Sequence, residues 1–379
     1  MKKGTNTEHD VVIIGASFAG LATAYFIKEG RKLILEKQEE LGKVQRSTCG
    51  TSAAWVEKLG CGNSILATFD HVTMHSSSGH RVKAQLPETF CTVDYKEFCS
   101  SLASGLKDTK ISTGEKVLEV RGEGPSEVIT TNDKYFANIL VDCSGWSAIS
   151  QADGGHVGLV ERMAQGMEAE TGFDDDYDSF HIYYGKRFIP HGYGWAFPIG
   201  GGKARVGVGS FHGNETAAFF KGFIETLGLQ VNGLKPHGGP LPLFGLKQPQ
   251  DNGVFYVGDS LWQVLPLSGE GIRKTFQYAE TCGKLITEVQ KGDLRKKEAL
   301  ERYNGEVFKA RTFYDNMYFL QKLAIRTPDF VRNIIIKALS RSDGARLKGF
   351  LELYLNDGIT HSRSTITKAM FKAVVAGLI

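Results

Sequence analysis

The first hydrophobic positions of the chain form an unbroken run. Val-Val-Ile-Ile at 11–14 predicts a strand buried on both faces, and GASFAG after it predicts a tight turn. A helix is then expected over 21–28 and a second strand over 32–35. A further helix is expected over 95–106, entered through Asp94 as its N-cap. Alternating segments at 117–120, 127–131 and 139–142 predict a β-meander and a returning core strand, and the glycine-bearing strand pattern from Val157 to Gly209 predicts a second sheet. Another buried strand ends in Gly258-Asp259, residues 269–289 read as a long helix, and the remainder to Ile379 is mostly helical. No repeat or low-complexity linker separates these parts, so the expected domains interleave. One is an α/β domain over 1–80, 95–150 and 250–290. The second is an antiparallel-sheet domain over 81–94 and 151–249. A helical C-terminal region covers 291–379.

Composition narrows the class. A chain of 379 residues with 41% hydrophobic and 23% charged residues is globular and long enough for a sizeable core. The net charge of +3 is unevenly spread: from Thr281 onward 18 Lys and Arg meet 10 Asp and Glu, and the first 280 residues are net acidic. The basic tail suits an anionic membrane or an acidic partner protein as well as ordinary solvated helix faces. No nucleic-acid partner is expected. Cys49, Cys61, Cys91, Cys99, Cys143 and Cys282 form no CxxC pair and stand at no metal-ligand spacing with histidine, so no metal is expected. With no signal peptide, a reducing cytoplasmic setting is expected, the inner face of the membrane being a second place open to it. The longest uncharged run, 11–27, is broken by Gly15, Ser17 and Gly20, and no segment offers the ~20 apolar residues of a membrane span.

GASFAG carries the first candidate chemistry. Gly15 permits the tight turn and Gly20 the close approach of helix to strand, with Phe18 and Ala19 between them at the helix start. Ser17 takes the small middle position, where the backbone must approach a pyrophosphate at the helix N-terminus. Glu36 ends the second strand about 20 residues on, where a carboxylate accepts hydrogen bonds from a ribose. This is the pattern of a dinucleotide site. A second glycine-rich helix start, Pro266, Gly269, Gly271 and Ile272, follows Gly258-Asp259 more than two hundred residues later. A nicotinamide dehydrogenase has no use for it; a flavin does. Asp259 can hold the ribityl chain and pyrophosphate, and the helix amides can face the N1–O2 edge of the ring. Ser144-Gly145 supplies a third turn at a strand end. FAD is therefore the expected cofactor.

These turns together resemble the FAD-binding fold shared by aromatic hydroxylases, flavin-dependent halogenases and geranylgeranyl reductases, over nearly the whole chain. The fold this implies is α/β, a Rossmann-type FAD-binding domain interleaved with an antiparallel-sheet substrate domain, plus the helical region. Lys37 and Val117 join the expected cofactor contacts.

Pro190, Tyr193, Trp195, Phe197 and Pro198 match the P-x-x-Y-x-W-x-F-P pattern of geranylgeranyl reductases. In that family the strand lies over the flavin and lines an apolar cavity. Alternation puts the three rings on one face, a wall suited to an isoprenoid chain. QRSTCG resembles the same family at Cys49-Gly50, beside the isoalloxazine. Cys49 reads either as a buried small hydrophobe or as a residue that shapes the site and helps deliver a proton, and Arg46 either as a phosphate contact or as a surface side chain.

The chain departs from the sister branches. GWSAISQ has Ser147 but no arginine following it as in hydroxylases, and Tyr193 and Phe197 replace residues of the halogenase W-x-W-x-I-P stretch. Lys83, the one lysine weighed for a halogenase role, reads as part of an exposed edge strand.

The resemblance implies a reductase that saturates isolated C=C bonds of a geranylgeranyl or other polyprenyl lipid by hydride transfer from reduced flavin. The alternatives are a flavin-dependent halogenase or hydroxylase and a non-catalytic flavin-stabilised lipid-binding protein. The external reductant is open among NAD(P)H, ferredoxin and similar carriers. Residues 330–342 place apolar and basic side chains as an interfacial helix would, or as a helix packed on the core.

Overall fold

A computed structural model describes residues 8–122, 125–151, 163–211, 215–230, 233–249, 252–342 and 344–378. The start of the expected second sheet, at 157–162, lies outside them. Along the chain, β1 (Glu8–Ile14), α1 (Phe18–Phe26) and β2 (Lys32–Leu35) are followed by β3 (Gly50–Ser52), α2 (Ala53–Lys58), β4 (Ile65–Ser76), β5 (Arg81–Val93), α3 (Tyr95–Ser104), β6 (Thr109–Ser112), β7 (Val117–Arg121), β8 (Ser126–Thr130) and β9 (Lys134–Asp142). Then come β10 (Ala164–Gly172), β11 (Ser179–Tyr184), β12 (Gly192–Gly200), β13 (Lys203–Ser210), α4 (Thr216–Thr226), β14 (His237–Leu241) and β15 (Val254–Tyr256). The helices α5 (Ile272–Lys291), α6 (Lys296–Lys309), α7 (Arg311–Arg326), α8 (Asp329–Ser340), α9 (Ala345–Leu355) and α10 (Arg363–Leu378) complete the chain.

The first sheet runs β6-β2-β1-β9-β8-β7, with β15 also paired to β9. Its β6, β2, β1, β9 and β15 are parallel. Such strands are covered on both faces, which is why Val11, Val12, Ile13, Leu33, Ile34, Leu140 and Val141 are all fully buried. The apolar run at 11–14 thus reads as a strand for the reason the pattern suggested.

The second sheet runs β14-β10-β13-β12-β11-β4-β5-β3. Two expectations need correcting here. The sheet is mixed, because β4 and β11 pair in parallel. Residues 1–80 are also not all part of the first domain: β3 and β4 hydrogen-bond to β5 in the second sheet. The burial pattern of β4 and β5 marks strands, but it does not say which sheet receives them.

The C-terminal helices close over both sheets. On α8, Ile336 is buried with Phe69, Val72, Val82 and Leu347 beneath the second sheet. Arg332 is buried too, its guanidinium 4.6 Å over the Tyr184 ring and one amine donating to the Ala324 carbonyl at 2.9 Å. The apolar stripe at 330–342 is thus used in packing, with one of its cations turned inward. Among the described residues no helix is long and apolar enough to cross a membrane.

Candidate active site

Three glycine turns that are far apart in sequence meet at the ends of the parallel strands. Gly15 has φ +98°, and a Cβ there would lie 2.6 Å from the Cys143 carbonyl oxygen and 3.6 Å from Ser144 Cα. The first turn and the β9 turn therefore touch. A Cβ on Gly20 would overlap the Gly15 carbonyl, so α1 starts against β1 only because both residues are glycine. Gly258, at φ +80°, sits 3.2 Å by the same measure from Ala19 Cβ, and Gly271 sits 3.9 Å from Asp259 Oδ1. The turn after β15 is thereby set against the start of α1, and the start of α5 against Asp259.

Hydrogen bonds fix each turn. Glu36 accepts the Ala16 amide on one carboxylate oxygen and the Gln38 amide on the other, both at 2.8 Å. A carboxylate has about four acceptor sites, so capacity remains for a ribose hydroxyl. Tyr95 donates to Ser17 Oγ at 2.8 Å. Buried Asp142 holds the third turn by accepting the amides of Ser144 and Ser150 at 2.9 Å each, and Ser260 Oγ donates to the Asp142 carbonyl at 2.8 Å.

The residues fit a flavin dinucleotide. Neither α1 nor α5 has a side-chain cap or an acidic residue in its first turn, which leaves their N-terminal amides for an anion. Asp259 is half-buried and its carboxyl has no hydrogen-bond partner among the described residues; burial pushes its pKa up to about 6. A ligand hydroxyl would supply that partner. Lys37 and Arg46 stand at the surface, and the Lys37 pKa is lowered, first by desolvation of its amine by neighbouring atoms and then by the Arg46 charge. The Arg46 stem lies 3.7 Å from a Cβ built on Gly239 of β14. Phe18 turns inward, its ring 4.9 Å from Phe98 and 5.2 Å from Tyr95, so only its backbone faces the turn. Val117 is buried in the core of the first sheet, just beyond Glu115, whose amide donates to the Glu36 carbonyl at 2.8 Å. Ile272 opens α5 and packs against that core, and the Pro266 carbonyl accepts from Gln321 at 2.7 Å. Gly145, at φ +79°, has open space where a Cβ would stand.

The aromatic strand β12 abuts this cradle. The Tyr193 hydroxyl donates to the Ser268 carbonyl, and a Cβ on Gly269 would lie 3.3 Å from that hydroxyl. The Tyr193 and Trp195 rings are 5.9 Å apart. Phe197 stacks on Phe180 at 4.8 Å and is so close to Gly50 that a Cβ there would meet its ring at 2.8 Å. The strand ends as Pro198, whose carbonyl accepts from Thr92 at 2.7 Å, gives way to Gly200, Gly201 and Gly202, all at positive φ. Those glycines make the turn to β13.

Cys49 is fully buried, at φ +56°, and its thiol donates to the Ser47 carbonyl at 3.2 Å. Burial pushes that thiol far above its ordinary range. It is a neutral S–H group. Neighbouring Thr48 donates its hydroxyl to Glu168, and Arg205 donates to the Thr48 carbonyl at 2.8 Å and to the Val93 carbonyl at 2.9 Å. Glu168 also accepts Trp195 Nε1 and pairs with His237 Nε2, each at 2.9 Å. Tyr95, Glu168, Arg205 and His237 were not singled out from the sequence. A lone acidic or basic residue in a strand carries no local signal: pairing across strands gathers Glu168, Arg205 and His237, and the packing of α3 on the first turn brings in Tyr95. Lys83 lies elsewhere, 2.6 Å from Asp176 and 3.2 Å from Asp178 at the surface.

Residues 162–232 match the model of the geranylgeranyl reductase catalytic domain. The chain is 25% identical to digeranylgeranylglycerophospholipid reductase 1 of Methanopyrus kandleri over 91% of its length and 98% of that protein's. It is 27% identical to the digeranylgeranylglycerophospholipid reductase of Methanosarcina acetivorans, covering 78% of this chain and 79% of that one. The chain is similar to the geranylgeranyl reductase family of FAD-dependent oxidoreductases. The fold agrees: a geranylgeranyl bacteriochlorophyll reductase-like protein from Thermoplasma acidophilum superposes with TM-score 0.79 at 16% identity, covering 97% of this chain and 100% of that one. The p-nitrophenol 4-monooxygenase of Pseudomonas putida does so with TM-score 0.68 at 14% identity, over 95% and 100% of the two chains. The chain thus shares its fold with both this reductase-like protein and this monooxygenase. FAD is the cofactor the family implies.

Proposed function

We propose that this chain saturates isolated C=C bonds in a geranylgeranyl or other polyprenyl lipid, with Tyr193 and Trp195 forming the wall along which the isoprenoid lies. The observation that carries this reading is the seat of Tyr193 on Ser268 and Gly269, which sets an apolar face against the second glycine turn. The relatives' name, digeranylgeranylglycerophospholipid reductase, supports a substrate with prenyl chains on a polar glycerol head.

The protein's part is binding and exclusion of water. Glu36 would hold the adenosine ribose, the amides opening α1 the pyrophosphate, Asp259 the ribityl side and the amides opening α5 the ring edge. The chemistry supplied by bound reduced FAD is hydride donation to one alkene carbon. An unactivated alkene has no carbonyl on which charge can develop, so close positioning in a dry cavity is the main contribution of Tyr193 and Trp195. The other carbon takes a proton from water or from a side chain near Cys49. The un-ionised Cys49 thiol suits a role in shaping this corner or passing that proton, and does not suit a nucleophile.

The reductant would be NAD(P)H, a ferredoxin or a similar carrier, the basic C-terminal region favouring an acidic donor. A lipid substrate also brings the protein to a membrane surface, which flotation with anionic vesicles would read. The test of the function is anaerobic mixing of reduced protein with geranylgeranyl lipids. Flavin oxidation with a gain of two hydrogens per bond supports the reading. No turnover with any prenyl lipid overturns it, and turnover that needs oxygen and halide indicates the halogenase chemistry instead.

A further inference from the structure

A second cluster of chemistry-bearing residues lies on the other face of the second sheet. In the parallel pair, Tyr183 stands opposite His75 and His181 opposite Thr73. His75 Nε2 and His181 Nδ1 face each other at 3.0 Å, and His75, His181 and Asp175 each offer one ligating atom within 4.8 Å of the other two. His181 is next to Ala196 of β12, whose face is packed by α4, so the cluster is separated from the Trp195 side by the sheet itself.

Each group is held in a ligating orientation. The far nitrogen of His181, Nε2, lies 2.9 Å from the Asp176 carbonyl. A carbonyl only accepts, so Nε2 carries the proton and Nδ1 turns a lone pair toward the shared point. Metal-bound histidines are oriented by this kind of second bond. The His75 ring stacks on Tyr183 at 4.4 Å and 11°, and Tyr183 is braced edge-on by Phe188 and Phe223. Asp175 Oδ1 accepts the Asp176 amide at 2.7 Å and Arg81 at 2.9 Å, leaving its other oxygen without a hydrogen bond among the described residues.

We propose that His75, His181 and Asp175 bind a divalent transition ion, zinc first among them, which staples β4 to β11 and to the connection between β10 and β11. Two imidazoles and a carboxylate are a set zinc accepts, with water in the fourth position. Tetrahedral ligands at the usual zinc distances stand about 3.3 Å apart, so the two nitrogens need to separate by only a few tenths of an ångström. His75 then carries its proton on Nδ1. The Arg81–Asp175 pair is partly exposed and is a weak competitor. Lys83 is already paired by Asp176 and Asp178, so three carboxylates offset the two nearby cations.

The test uses tag-free, flavin-loaded protein dialysed against a chelator and then given zinc sulfate. We expect about one zinc retained per chain and a rise in melting temperature, as for any ligand that binds only the folded state. H75Q and H181Q are each expected to lose at least tenfold in zinc affinity, together with the thermal shift, while the flavin absorbance is unchanged. Cobalt(II) added to the wild-type protein should show the visible bands of a tetrahedral site, a reading that needs no variant. Wild-type protein that retains no zinc and shows no cobalt bands overturns the proposal, as does a zinc response that survives in both variants.

Discussion

Trp195 reaches Glu168 by passing over a glycine. The two residues are on strands separated by β13, both stand opposite Gly207, and the indole Nε1 donates to the Glu168 carboxylate at 2.9 Å. A Cβ on Gly207 would lie 2.6 Å from the indole and 2.5 Å from Glu168 Cβ. The orientation of the aromatic wall is therefore set from two strands away.

Gly207→Ala should displace Trp195. Overpacking of this kind costs about 1–3 kcal/mol, which calorimetry would record as a lowered melting temperature. Prenyl-lipid turnover should fall further than stability does, with FAD content unchanged. Full turnover in this variant would detach Trp195 from the reaction.

Glu168 is buried and has three partners, Trp195, Thr48 and His237. Glu168→Leu leaves all three unmatched and should cost about 1–3 kcal/mol, chiefly through the buried Trp195 indole, because Thr48 and His237 are half-buried and can reach water. Glu168→Gln keeps one acceptor oxygen and should lose clearly less. Chemical denaturation of the two variants reads the difference.

Asp259 should act in opposite directions on stability and on cofactor affinity. Its folded pKa of about 6 is above the unfolded value, so the folded apoprotein binds the proton more tightly. Stability from this group is present at low pH and is lost as pH rises from about 4 through 6. At pH 7, Asp259→Asn should raise the melting temperature of the flavin-free protein by an amount equivalent to about 1–2 kcal/mol. FAD affinity, read by fluorescence titration, should fall. A flavin-free variant less stable than the parent contradicts the unpartnered state of the carboxyl.

Cys49, Cys91 and Cys99 are buried thiols whose ionisation is pushed up by that burial, Cys91 and Cys99 to about 12. Raised folded values mean stability that is intact below the unfolded thiol pKa and lost above it. Melting temperature should therefore decline once pH passes about 9. Cys49→Ala should flatten that decline. Iodoacetamide should leave Cys49 unmodified in the native protein, and rapid labelling would show an accessible thiolate instead.

Much was legible along the chain because local physics writes locally. An unbroken apolar run means a strand covered on both faces, and the left-handed backbone of the turns at Gly15 and Gly258 favours glycine whatever surrounds it. The alternation of Tyr193, Trp195 and Phe197 likewise fixed their shared face. What the chain by itself could not decide was partnership. The sheet that β3 and β4 join, the parallel pairing of β4 with β11, the reach of Glu168 to Trp195 and the meeting of His75 with His181 all depend on strand register. Register links residues 27 positions apart in one case and 106 in the other. Periodicity says which way a side chain points. Only the folded sheet says what it meets there.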